Sequence, residues 1–87
     1  MEFINAQEMA KNHPHTFHAP SKKELAGIAE KDIVKISHNQ ERFWVIVTNI
    51  KGNIITGTVD NELINEHDFS YGNSIQFNKD NIYNINS

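Results

Sequence analysis

Residues 41–62 read ERFWVIVTNIKGNIITGTVDNE, and this stretch decides the fold. Glu41–Ile50 is rich in aromatic and β-branched residues, which favour a pleated, half-buried backbone. Ile54–Glu62 repeats that character. Between them Lys51-Gly52-Asn53 supplies two residues that tolerate a positive φ, so the chain turns and the two runs pair as an antiparallel hairpin.

The register follows from segregation of side chains. A three-residue loop pairs Ile50 with Ile54, Val47 with Gly57, Val45 with Val59 and Phe43 with Asn61. One face then carries Phe43, Val45, Val47, Ile55, Gly57 and Val59, which is a core face. The other carries Arg42, Trp44, Ile46, Thr48, Thr56, Thr58, Asp60 and Glu62, with Arg42 opposite Glu62. A two-residue loop slips the pairing by one and sets Phe43 against Asp60, so the three-residue loop is preferred. Gly57, in mid-strand, marks a bulge or sharp bend.

Working outward, the N-terminal third reads as helical or irregular. Asn5 with Glu8, and Ser21 with Glu24, have the spacing of capping boxes, giving a helix from about Ala6 to Asn12 and a second after Ser21. Leu25, Ile28 and Ala29 form a narrow apolar stripe on the second, a stripe that must dock on something else. After Asp32 the period becomes two: Asp32–Ser37, a turn at His38-Asn39-Gln40, the hairpin, a loop over Asn65–Ser70, then short strands at Ser74–Phe77 and Ile82–Ile85. The expected fold is mainly β (α+β): a small SH3-like antiparallel barrel or bent sheet preceded by one or two short helices. Residues 1–87 make one domain, with 1–30 packing on 32–86.

Composition removes several classes of function. With no cysteine there is neither a disulfide framework nor a thiolate metal site. No apolar run is long enough for a membrane span or a secretion signal, so a cytoplasmic setting is expected. Eight basic residues against eleven acidic ones give a net charge of −3, and the basic residues are scattered, which disfavours nucleic acid as a partner. The four glycines are isolated, so there is no phosphate-cradling loop.

Three segments carry a resemblance. Residues 41–48 (ERFWVIVT), 57–63 (GTVDNEL) and 71–77 (YGNSIQF) resemble a group of small bacterial domains of unknown function. In that group an ERFWV strand is followed by GxVDNEL and YGDxIxF. Thr16–Leu25 and Asp32–Ile36 also resemble short members, so the likeness spans nearly the whole chain. Two turn positions depart from it: Asn73 replaces the usual Asp, and Glu30-Lys31-Asp32 replaces Pro-Gly-Asp. The resemblance implies a fold and attaches no activity to any residue.

Three constellations invite a chemical reading. Trp44 with Arg42, Thr58, Asp60 and Glu62 is an aromatic platform with polar handles, suited to a protein or small-ligand partner. The plainer alternative is that Phe3, Phe17, Leu25 and Ile28 cover Trp44 and Ile46 as a second small core. His13, His15 and His18 supply imidazoles for a transition metal, although a loop between two prolines does not preorganise them. His67 beside Asp68 imitates a base and its orienter, with no nucleophile in a motif nearby. The expected function is therefore a non-enzymatic binding module, monomeric or weakly dimeric, without cofactor or catalytic residues. A small metal-dependent or acid/base enzyme using His13, His15 and His18 with Asp60 or Glu62 is the alternative.

Overall fold

The computed structural model describes residues 3–86. Two helices, α1 (Ala6–Asn12) and α2 (Lys22–Ala26), precede five strands: β1 (Ile33–His38), β2 (Glu41–Lys51), β3 (Ile54–Val59), β4 (Ser74–Asn78) and β5 (Asn84–Asn86). A 3-10 turn at Lys79–Asn81 links the last two. The strands form one antiparallel sheet in the order β4-β3-β2-β1-β5. The β-rich architecture expected from the sequence is present as an open sheet. Strands β4 and β5 are its edges and do not pair, so among the described residues there is no closed barrel. No helix in this part of the chain is long and apolar enough to cross a membrane.

Local chemistry accounts for the helix ends. The Asn5 side chain accepts from the Glu8 N–H at 3.0 Å and starts α1. Ser21 and Glu24 form the full reciprocal box at the start of α2. That helix is shorter than its apolar stripe, because Gly27 caps it after five residues. Leu25 and Ile28 are buried while Ala29 is exposed.

The central hairpin keeps the expected partners by a different route. Val47 faces Gly57 and Val45 faces Val59, but Lys51 faces Ile54 across a two-residue loop, and Ile50 faces Ile55 rather than Ile54. The additional residue sits within β2, where a bulge at Thr48 shifts the register between Val47 and Asn49. Gly52, at φ +60°, occupies the position at which such short hairpin loops require a positive φ. Gly57 permits the crowding opposite the bulge. A Cβ there would lie 2.8 Å from the Ile46 carbonyl oxygen and would collide with Val45. The β1–β2 connection is equally tight, with Asn39 and Gln40 both at positive φ.

The core lies on one face of this sheet. Val34, Ile36, Phe43, Val45, Val47, Ile55 and Val59 point inward and are almost wholly enclosed, with Ile75 and Phe77 of β4. Leu25, Ile28, Phe69 and Ile82 close over them. Each such side chain contributes about 1.5–3 kcal/mol by leaving water.

Candidate functional site

The sheet's outer face is where the structure brings most of the proposed platform together. Cross-strand neighbours there are Ile33 with Ile46, Lys35 with Trp44, and Ser37 with Arg42. Thr58 lies beside Ile46 on the other side. Trp44, Ile33, Ile46 and Thr58 are half-buried and Arg42 is exposed. The expectation that the N-terminal segment covers Trp44 and Ile46 is not met. Leu25 and Ile28 belong to the inner core, Phe3 packs beside it against His38, Phe69 and Phe77, and Phe17 sits 5.9 Å from Tyr83. The inner face offers far more apolar area, so it claims the available cover.

Two cations on this face rest on aromatic rings. The Lys35 ammonium lies 4.8 Å from the centre of the Trp44 ring, and the Arg42 guanidinium lies 5.0 Å from that of Tyr83. Neither forms an ion pair among the described residues. The Arg42–Glu62 bridge expected from the register is missing because the ladder ends early. Asn61 takes the Trp44 N–H on its side-chain oxygen at 2.7 Å, in place of a strand partner, and the chain leaves the sheet there. Phe43 therefore has no Asn61 opposite it, and Glu62 stands exposed in the loop beyond. Asp60 remains at the rim, its N–H donating to the Trp44 carbonyl at 2.9 Å.

His13, His15 and His18 are all exposed. Among the described residues no group of three or more His, Asp or Glu side chains is placed to hold a metal ion, so His13, His15 and His18 form no such set with one another or with Asp60 and Glu62.

A second constellation closes the polar end of the core. His38 and Glu41 face each other across the β1–β2 turn, and His67 inserts from the loop between β3 and β4. The His67 side chain is completely buried and that of Glu41 is 11% exposed. A carboxylate only accepts, so Glu41 receives the His67 Nε2–H, at 2.7 Å. It also receives the backbone N–H groups of Ile64 and Asn65, each at 2.8 Å. The Nδ1 atoms of His67 and His38 are 2.7 Å apart, which requires one proton between them. Phe69 stacks on the His67 ring at 5.0 Å and also flanks His38.

These contacts bear on the titration of His38 and Glu41. The hydrogen bond from His67, then that from Ile64, holds the Glu41 carboxyl below its ordinary 4.5. Burial, and next the neighbouring His67, holds His38 below 6.5, with Asp68 opposing. The arrangement is a carboxylate–imidazole–imidazole relay beneath a shallow depression lined by His38, Asn39, Glu66, His67 and Asp68. Such a relay can pass a proton, and it also fastens the loop, since Asn39 donates to the Glu66 carbonyl and Asn65 to that of Asn39. Sequence reasoning singled out His67 but paired it with its neighbour Asp68. The orienter is Glu41, 26 positions away. The signal for it was alternation: Glu41 shares the inner face with Phe43, where an unpaired carboxylate is not tolerated.

No protein family, curated protein or solved structure matches this chain.

Proposed function

We propose that this protein is a non-enzymatic interaction module that takes another protein on the outer face of its sheet. One observation carries the reading. Trp44, Ile33 and Ile46 lie half-exposed in the middle of a sheet face whose residues contribute nothing to the buried core cluster. Trp and Arg are the residue types over-represented at interface hot spots, and Trp44 and Arg42 stand two positions apart on this face. Titrating isotopically labelled protein with cell-extract fractions tests it. Amide shifts are expected at Lys35, Arg42, Trp44, Ile46 and Thr58, and not in the Trp44→Ala variant. Shifts confined to other surfaces would show that this face is not the interface.

A second reading is favoured by the relay. If His38 Nε2 acts as a general base, hydrolysis of an activated ester exceeds that of the His38→Gln variant and is unaffected by His13→Ala. Equal rates in all three proteins end that reading.

A further inference from the structure

We infer that the partner is an acidic protein segment whose carboxylate seats at the Lys35–Arg42 corner of the outer face; this rests on the interaction-module reading above. The charge distribution argues for it. On the strands this face carries Lys35, Arg42 and Lys51 and no Asp or Glu, although the chain as a whole has eleven acidic residues against eight basic ones. Asp60 stands at the rim, outside the ladder, and Glu41, next to Arg42 in β2, faces inward and is taken by His67, Ile64 and Asn65. Lys35 and Arg42 are diagonal neighbours across β1 and β2, because Arg42 faces Ser37 and Trp44 faces Lys35. Diagonal neighbours stand about 7–8 Å apart at the backbone, a span that one carboxylate bridges between two long cationic side chains.

Both cations rest on aromatic rings and neither is paired with a carboxylate among the described residues. An incoming carboxylate has the acceptor oxygens that an ammonium and a guanidinium need. A nucleic acid fits less well. The Trp44 ring that would have to stack on a base is occupied by Lys35, and a net charge of −3 opposes a polyanion at longer range.

The test uses a peptide alternating glutamate with leucine, the same peptide with lysine in place of glutamate, and single-stranded oligothymidylate, each titrated into labelled protein at low salt. The glutamate peptide is expected to shift β1 and β2 amides and the Trp44 indole in a saturable, salt-sensitive way. Lys35→Gln and Arg42→Gln should each weaken it about tenfold. Arg42→Lys should recover only part of the loss, because the fork geometry is gone. Tyr83→Phe removes only a buried, unpartnered hydroxyl and keeps the ring under Arg42, so it should leave both binding and the unfolding midpoint intact or the midpoint raised, which makes it the control for lost structure. Equal shifts from the lysine peptide would overturn the acidic partner and leave the interaction face standing. Shifts from oligothymidylate alone would overturn both in favour of nucleic acid. No shift on this face from any probe would remove both.

Discussion

Lys31 adopts φ +78°, a conformation that glycine takes freely and other residues take at a cost. The backbone is held there from both sides: the Lys31 N–H donates to the Val47 carbonyl at 2.7 Å, and the Val47 N–H to Asp32 at 2.8 Å. Relief of about 1–2 kcal/mol in the folded state opposes about 0.5–1 kcal/mol of added freedom in the unfolded chain. Lys31→Gly should therefore raise the unfolding free energy measured in urea by about 0.5 kcal/mol, and Lys31→Val should lower it by more. Gly57 is the opposite case. Gly57→Ala sets a methyl against Val45 and the Ile46 carbonyl and should cost about 1–3 kcal/mol in the same measurement.

Between elements, the relay that pins the β3–β4 loop makes stability depend on pH. His38 and Glu41 both have lowered folded-state values. Their contributions are complete above the unfolded values, near 6.5 and 4.5, and are lost as pH falls through the lower folded ones. Acid should thus weaken the fold in two stages, His38 first. The Nδ1···Nδ1 contact admits one imidazolium but not two, since two would set N–H against N–H. Amide exchange across residues 62–69 should rise before that of β2 as pH drops, and Glu41→Gln should flatten the lower stage. Exchange rising uniformly would show that the loop is not separately latched. His67→Ala removes a wholly buried ring and should cost about 2–4 kcal/mol.

What was legible in the sequence followed from period and capping. The Phe43, Val45, Val47 face, the Asn5 and Ser21 caps and the Val47–Gly57 pairing were all readable. Of the relay, alternation marked only Glu41 as an inner-face carboxylate; its partner His67 comes from a separate loop brought up by tertiary folding, and spacing carries no mark of that meeting. The Arg42–Glu62 bridge failed for a related reason. A single side chain, Asn61, can stand in for a strand, and periodicity has no term for it.

For the whole molecule, the unequal faces of the sheet predict an unequal response to mutation. Phe43 and Trp44 are adjacent aromatics on opposite faces of β2. Phe43→Ala should cost about 3–5 kcal/mol and Trp44→Ala about 1–2 kcal/mol, measured by denaturant unfolding. Acrylamide should quench Trp44 appreciably in the folded state, and a partner on the outer face should protect it. Costs of similar size for the two substitutions would mean that the outer face is packed after all.

The bulge at Thr48 has one more consequence, for chain length. Pairing on its two sides differs by a single residue, and the loop at Gly52-Asn53 is already minimal. Excising Thr48 would merge the two registers into one uninterrupted ladder and leave each flanking side chain on its present face. Excising Asn53 would force a slip of everything beyond it. The gene should therefore tolerate loss of a codon in the middle of its longest strand better than in the loop that follows, the reverse of where deletions are ordinarily accepted.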